Sequence, residues 1–151
     1  MKTLTAVFVS LALATAAFAG TKGAEPAHIS QGQRVDLATE AVPGKTTVFD
    51  FTSKYCPPCQ GYNEPLAKLH AERADVAVVK VDINRPDVKG IDWKSPVAAQ
   101  FHLRSIPHFK VYGPDGKLLA EDKIVMGEDG SLVSRASPAR EMVDGMIAKL
   151  K

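Results

Sequence analysis

The sequence carries no large excess of charge of either sign, and after its first residues it has no long hydrophobic run. Its 151 residues include 19 basic and 17 acidic side chains, which give a net charge of +2. A balance so close to zero is not typical of proteins that bind nucleic acids or acidic membrane surfaces. Beyond residue 19, no apolar stretch approaches the roughly 20 residues that a transmembrane helix needs. We therefore expect one globular domain without a nucleic-acid partner.

The N-terminus differs, because it has the layout of a secretory signal peptide. Lys2 supplies a positive charge, an apolar run occupies residues 4–18, and small residues surround a cleavage point after Ala19. The alternative is an uncleaved membrane anchor, but the run is short and contains three hydroxyl side chains. We expect the mature protein to be periplasmic or secreted, with no membrane segment left after cleavage. The predicted division is a signal peptide at 1–19, a mature N-terminal segment at 20–43 and a folded domain at 44–151.

Cysteine is scarce, and its placement is unusual for a protein that leaves the cytoplasm. Such proteins normally use disulfides to join distant loops, whereas Cys56 and Cys59 are separated by only two residues. A bridge across so short a loop constrains the unfolded chain little, so structural stabilisation explains it poorly. The C-x-x-C pair instead favours redox chemistry or half of a metal site. Because no second cysteine pair and no H-x-x-x-H pattern accompanies it, a structural zinc site is disfavoured.

Hydrophobic patterning predicts an α/β domain with the element order β-α-β-α-β-β-α. Strands are predicted where β-branched and aromatic residues run together, and helices where apolar residues recur at helical spacing. The predicted strands occupy residues 46–51, 76–83, 109–112 and 117–125. One helix is predicted over residues 57–74, and two more begin at Ser95-Pro96 and Ser137-Pro138. A short hairpin is predicted around Gly32. Right-handed crossovers would make the first two long strands parallel, in a mixed sheet with helices on both faces.

The cysteine pair lies where the first long strand ends and its helix begins, a position that favours a reactive site. The thiolate is the nucleophile in disulfide exchange, and the positive end of a helix dipole stabilises that anion. Cys56, at the start of the helix, is therefore the predicted attacking residue and the more exposed of the two. Cys59, one turn further along, is predicted to attack the mixed disulfide and release the product.

Two segments resemble the thioredoxin superfamily. Residues 49–59, FDFTSKYCPPC, are similar to its active-site stretch, and Ser105-Ile106-Pro107 resembles its cis-proline loop. The likeness extends over about residues 44–120, and the Cys-Pro-Pro-Cys form and the signal peptide most resemble the extracytoplasmic thioredoxin-like members. The resemblance implies a three-layer sandwich with a mixed central sheet, and a thiol–disulfide oxidoreductase that needs no bound cofactor.

The resemblance also implies roles for residues around the cysteines. Asp50 matches the family's buried carboxylate, which is taken to accept the proton of the Cys59 thiol, and Lys80 matches the lysine that partners this acid from the neighbouring strand. A buried acid without a partner would be costly, so such a lysine is physically expected. Pro107 matches the cis-proline that lies against the disulfide and leaves the Ile106 backbone free to pair with a substrate chain.

Other residues are predicted to border the site. Tyr55 stands where the family commonly has tryptophan, and we expect Tyr55 and Pro57 to contact the substrate. Trp93 lies in a loop, where it either borders the site or anchors the loop. His108 follows the cis-proline and is expected to face solvent. The alternative places His108 near the cysteines, where a charged imidazole would favour the thiolate.

The function expected from these features is the reduction of disulfides in exported proteins, with protein thiol or disulfide substrates, an upstream redox partner and no metal. A disulfide oxidase or isomerase is the alternative within this class, because the residues of the motif rather than the fold set the direction of electron flow. A Cu(I)-handling protein is the alternative from another class, since two thiolates are soft ligands for that ion. The lack of methionine and histidine beside the pair counts against copper.

Overall fold

The structure is a computed structural model that describes residues 25–150. The predicted signal peptide and its cleavage site lie outside these residues. The described elements are β1 at Ala27–Ile29, α1 at Leu37–Glu40, β2 at Thr46–Thr52, α2 at Pro57–Gln60, α3 at Asn63–Glu72, β3 at Val76–Asp82, α4 at Pro96–Gln100, β4 at His108–Tyr112, β5 at Leu118–Glu121, β6 at Lys123–Met126, β7 at Leu132–Ala136 and α5 at Pro138–Ile147. Within residues 25–150, each helix is too short or too polar to cross a bilayer.

A five-stranded mixed sheet in the order β1-β3-β2-β4-β5 forms the centre of the fold. β2 pairs with β3 in parallel and with β4 in antiparallel orientation, while β1 joins β3 in parallel and β5 joins β4 in antiparallel orientation. The two long strands are parallel, as the crossover rule predicted. The predicted α/β class, with a mixed central sheet and helices, is confirmed.

Side chains alternate across this sheet and form one hydrophobic core on each face. The first core lies on the α4 face and includes Phe49, Phe51, Val79, Val81 and Val97. The second lies on the α3 and α5 face and includes Val48, Leu66, Val78, Phe109 and Val143. β2 and β3 are buried along almost their whole length, as expected for strands that are covered on both faces. The C-terminal end of β2, where the following segment begins, is therefore fixed by packing on both faces of the sheet.

The helix predicted over residues 57–74 is interrupted. α2 and α3 are separated by a turn at Gly61 and Tyr62. Pro65, the third residue of α3, has no N–H and so cannot form the helical hydrogen bond back to Gly61. In the first turn of a helix this N–H has no intrahelical partner, so the proline is tolerated once the helix restarts. A continuous helix is therefore replaced by two consecutive ones.

The segment around Gly32 does not form the predicted hairpin. β1 pairs with β3, and the chain then turns through three residues with positive φ, Ser30, Gln31 and Gly32. Gly32 donates its N–H to Asp82 O at 2.9 Å, and a Cβ on Gly32 would lie 2.7 Å from the Arg85 backbone nitrogen. Close approach to the end of β3 requires glycine here. The turn therefore packs against the C-terminal end of β3, and no hairpin forms.

The return strand predicted over residues 117–125 is two strands in different sheets. β5 pairs with β4, whereas β6 pairs with β7 in a two-stranded sheet that was not predicted. Asp122 lies between β5 and β6, and its buried carboxylate accepts hydrogen bonds from the N–H groups of Phe109 and Arg140. These bonds tie the junction to β4 and α5, so one long strand cannot continue through it.

The two Ser-Pro pairs begin their helices differently. Ser95 accepts a hydrogen bond from the Ala98 N–H at 3.2 Å and so caps α4, which begins at Ser95-Pro96 as predicted. Ser137 makes no capping bond at the start of α5; the Asp122 carboxylate accepts the Arg140 N–H at 3.0 Å in its place. Because this cap comes from another segment of the chain, the residues at the helix start do not indicate it.

Candidate active site

Cys56 and Cys59 follow the C-terminal end of β2, in the turn into α2. Cys56 is the N-cap residue of α2, and the two sulfurs form a disulfide with an S–S distance of 2.09 Å. The N–H of Cys59 donates to Cys56 Sγ at 3.2 Å, whereas Pro57 and Pro58 have no N–H to donate. Cys56 is 2% exposed and Cys59 is fully buried. The predicted order of exposure holds, but Cys56 is far less accessible than the prediction suggested.

The loop before β4 lies against the disulfide. The Ile106–Pro107 peptide bond is cis, and Ile106 O lies 3.7 Å from Cys56 Sγ. Within residues 25–150, neither the N–H nor the C=O of Ile106 forms a backbone hydrogen bond. The structure thus brings the Ile106 carbonyl to Cys56, one peptide bond before Pro107. The pairing of Ile106 with a substrate chain stays a prediction.

Asp50 and Lys80 face each other across β2 and β3. They are partners in the parallel register, and both are buried. Lys80 Nζ lies 3.6 Å from Asp50 Oδ2, which is close enough for attraction but too long for a hydrogen bond. Lys80 donates instead to Asn63 Oδ1. No described residue donates a hydrogen bond to either carboxylate oxygen of Asp50.

This environment determines how Asp50 titrates. Burial raises the pKa of its carboxyl to about 6, and the Lys80 cation acts in the opposite direction. An ionised carboxylate without hydrogen bonds is poorly stabilised in a protein interior, which explains why burial dominates. A carboxyl with its pKa near the working pH can both accept and return a proton. The role of Asp50 as proton acceptor for Cys59 stays a prediction.

His108 is buried, which corrects the expectation that it faces solvent. Only 7% of the residue is exposed, and its ring meets the ring of Phe51 edge-on with 5.5 Å between centroids. Burial lowers the pKa of the imidazole, so the ring is neutral at pH 7. A neutral ring cannot favour the Cys56 thiolate as a cation would. His108 is the register partner of Phe51 and lies on the same face of the sheet, a long-range pairing that its local sequence does not reveal.

Exposed residues flank the buried disulfide. Tyr55 is 37% exposed, and Lys54 Nζ lies 5.1 Å from the centre of its ring, within the range of a cation–π interaction. Pro57, on the other side of Cys56 in the sequence, is also exposed. Trp93 is 41% exposed in the loop before α4, so it is not a buried anchor for that loop. Tyr55 and Pro57 are therefore accessible to a substrate, as their predicted role requires.

A small hydrogen-bond network beside the cysteines was not predicted. Ser53 Oγ donates to Asn84 Oδ1 at 2.6 Å and accepts the Tyr55 N–H at 3.2 Å. Gln60 Nε2 donates to Ser53 O at 3.0 Å. These bonds fix the turn before Cys56 to α2 and to the end of β3. The hydrogen bond from the Tyr55 N–H to Ser53 Oγ joins residues two positions apart, a local turn pattern that the sequence can indicate. The other partners come together only in the fold.

Comparison with known proteins identifies the family. A family model described as thioredoxin matches residues 36–135. Thioredoxin H3 of Arabidopsis thaliana is 31% identical over 74 residues, and the match covers 49% of this chain and 55% of that protein. The chain thus spans about half the length of this curated relative. The chain belongs to the thioredoxin family.

One of two similar solved structures supports the fold. Thioredoxin f from spinach chloroplast is 18% identical, covers 82% of this chain and 92% of its own, and superposes with a TM-score of 0.50. A mutant thioredoxin from Halobacterium salinarum is also 18% identical, covers 84% and 92% of the two chains, and gives a TM-score of 0.46. At these identities, the spinach protein is evidence for a shared fold alone.

The two cysteines are arranged for thiol–disulfide exchange. Two cysteines in a C-x-x-C turn interconvert between a disulfide and two thiols by exchange with another dithiol or disulfide, in a two-electron step. Among residues 25–150, no three His, Cys, Asp or Glu side chains are grouped as a metal site would require.

Proposed function

We propose that this protein is a thiol–disulfide oxidoreductase that reduces disulfides of protein substrates outside the cytoplasm. The observation that carries the proposal is the geometry around Cys56. Its sulfur caps a helix, is bonded to Cys59 and lies 3.7 Å from Ile106 O. A redox-active sulfur therefore stands beside backbone groups that an extended substrate chain can pair with.

The reducing reaction takes two exchange steps. The Cys56 thiolate attacks one sulfur of the substrate disulfide, forms an intermolecular disulfide and releases the other substrate sulfur as a thiolate. The Cys59 thiol then gives its proton to Asp50, and its sulfur attacks Cys56 Sγ. This step closes the Cys56–Cys59 disulfide and releases the second substrate sulfur as a thiolate, which takes up a proton. Two electrons pass to the substrate, and an upstream dithiol protein restores the two thiols by the reverse exchange.

The proposed direction follows from how weakly the Cys56 sulfur is stabilised as an anion. Among the described residues, the one backbone N–H that reaches Cys56 Sγ is that of Cys59, and it also lies 3.0 Å from Cys56 O. The N–H of Gln60 is directed to Cys56 O as well. Pro57 and Pro58 contribute no donor. A poorly stabilised thiolate disfavours the reduced form, which makes the pair a better reductant.

The proposed location rests on the first 19 residues. A positive residue, an apolar run and small residues before Gly20 are the features of a cleaved signal peptide. Expression of the whole chain in a Gram-negative host should give a periplasmic protein that begins at Gly20. A full-length product in the membrane fraction would contradict export in soluble form and favour the anchored alternative.

Substitution of each cysteine tests the proposed reaction. The wild-type protein should catalyse the reduction of insulin by dithiothreitol, and Cys56→Ser should abolish this activity. Cys59→Ser should still attack and should accumulate mixed disulfides, which non-reducing gels detect. Trapping by Cys56→Ser and not by Cys59→Ser would reverse the two roles.

The alternatives predict other results. An oxidase would oxidise a reduced, unfolded protein faster than it reduces insulin. A copper-handling protein would bind Cu(I) stoichiometrically in titration and would show no insulin reduction. Either result in the wild-type protein would replace the proposed function.

A further inference from the structure

We propose that Arg140 and Asp122 are positioning residues that hold the cis-proline loop in the geometry required to bind polypeptide disulfides. Both residues lie outside the cysteine motif and outside the set that the family resemblance implies. The inference rests on the proposed function, because it concerns how the same site engages a substrate chain.

Asp122 connects β4 to α5 from a buried position. The residue is 5% exposed. Its Oδ2 accepts the Phe109 N–H and its Oδ1 accepts the Arg140 N–H, both at 3.0 Å. Its own N–H donates to Phe109 O at 3.0 Å. Hydrogen bonds to a carboxylate are stronger than bonds between neutral groups, so one side chain fixes the start of β4 relative to the first turn of α5.

Arg140 continues this connection to the cis-proline. Its Nη2 donates to Pro107 O at 2.6 Å. The ring of Pro107 already fixes its φ at about −65°, and it has no N–H. The carbonyl oxygen is therefore the only backbone group of Pro107 that can be held by a hydrogen bond. With Asp122 holding Phe109, the chain is fixed both at the cis-proline and two residues after it.

The group that this arrangement orients is the backbone of Ile106. Its N–H and C=O form no backbone hydrogen bond within the described residues, and its oxygen lies 3.7 Å from Cys56 Sγ. A polypeptide that pairs with Ile106 must present its disulfide to Cys56 in a defined direction, and small misplacements of reacting groups slow reactions strongly. A small disulfide that reaches only the sulfur gains nothing from this alignment. The inferred effect is therefore specific to protein substrates.

A role in stability alone fits Arg140 poorly. Its Nε is buried, and no described residue accepts a hydrogen bond from it. A buried donor without an acceptor costs free energy that offsets much of what the bond to Pro107 contributes. Methionine has a similar length and no donor, so Arg140→Met should fold normally and release only the Pro107 carbonyl.

The experiment compares a protein disulfide with a small disulfide on the same variants. For reduced Arg140→Met we expect kcat/KM with insulin to fall about tenfold, mainly through a higher KM, as for the loss of one hydrogen bond to a charged group. The rate with the small aromatic disulfide DTNB should stay within about twofold of wild type, because DTNB does not depend on the Ile106 backbone. Arg140→Lys, which keeps a cationic donor group, should recover part of the insulin activity.

Two further variants complete the test. Asp122→Asn should also lower kcat/KM with insulin and leave the DTNB rate near that of wild type, because it weakens the same connection. Arg135→Met is the matched control, since Arg135 is exposed in β7 and its side chain forms no hydrogen bond or ion pair with another described residue. This control should behave as wild type with both disulfides.

Three results for Arg140→Met would overturn the inference. They are an unchanged kcat/KM with insulin, equal losses with insulin and DTNB, and a large fall in the unfolding midpoint, which would show that the residue acts through stability. Failure of the proposed function is seen in the wild-type protein instead: if the wild-type protein reduces neither disulfide, the function and the inference fail together.

Discussion

Replacing Asp50 by asparagine probes the electrostatics of the site through protein stability. Asp50 is fully buried, and its oxygens accept no hydrogen bond from the described residues. Lys80 Nζ lies 3.6 Å away. Burial raises the pKa of Asp50 from 3.8 to about 6. The folded protein therefore holds this proton more tightly than the unfolded chain does, and ionisation of Asp50 destabilises the fold.

The sign and size of the effect follow from this difference. At pH values well below 3.8 the carboxyl is protonated in both states, and it contributes no dependence on pH. As the pH rises from about 4 through 6, the unfolded chain releases the proton first, so the free energy of unfolding falls. About two pKa units at about 1.4 kcal/mol each amount to about 3 kcal/mol at pH 8. Asparagine does not ionise, and the shift already includes the attraction to Lys80, so we expect Asp50→Asn to gain up to about 3 kcal/mol at pH 8.

Urea unfolding of the oxidised protein between about pH 4 and pH 8 measures this gain. The advantage of Asp50→Asn over wild type should be largest at pH 8 and should shrink towards pH 4. Asp75→Asn is the control, because Asp75 is exposed and its hydrogen bond with Arg73 lowers its pKa. That variant should give no gain at pH 8. Parallel stability profiles for wild type and Asp50→Asn would refute the assignment of Asp50 as a desolvated acid.

Two further predictions concern the resolving step and the helix caps. Asp50→Asn should slow release of the mixed disulfide but not the attack by Cys56, as measured by rapid acid quenching; unchanged release rates from about pH 6 to 9 would remove Asp50 from the mechanism. Ser95→Ala should destabilise the protein by about 1 kcal/mol, because its side chain caps α4. Ser137→Ala should cost less than about 0.5 kcal/mol in urea unfolding, since Asp122 caps α5; equal costs would contradict this account.

The sequence predicted those features that local patterns or family motifs encode. β2 and β3 are continuous apolar segments, and strands buried on both faces require that pattern. The C-x-x-C pair at a strand-to-helix turn indicated the site, because a cysteine pair separated by two residues has few structural uses. The partnership of Asp50 with Lys80 came from the resemblance, and the register of β2 and β3 places the two residues opposite each other.

Features that depend on distant partners were missed or wrong. His108 is polar and begins a strand, so its local sequence suggested exposure, but register with Phe51 buries it. The caps of α4 and α5 look alike in sequence, and only the fold brings the Asp122 carboxylate to α5. The β6–β7 hairpin was missed because β6 was taken as a continuation of the preceding strand. For His108 and the α5 cap, the deciding contact joins residues that are far apart in the sequence, whereas the β6–β7 hairpin is a local pairing.

The reduction potential of the Cys56–Cys59 pair, measured by equilibration with glutathione, decides whether the protein works as a reductant. One backbone N–H reaches Cys56 Sγ among the described residues, and the buried His108 ring is neutral at pH 7. The Cys56 thiolate is therefore weakly stabilised, and we expect a potential nearer about −270 mV than about −120 mV. A potential above about −150 mV would contradict the assignment as a reductant and would favour a disulfide oxidase.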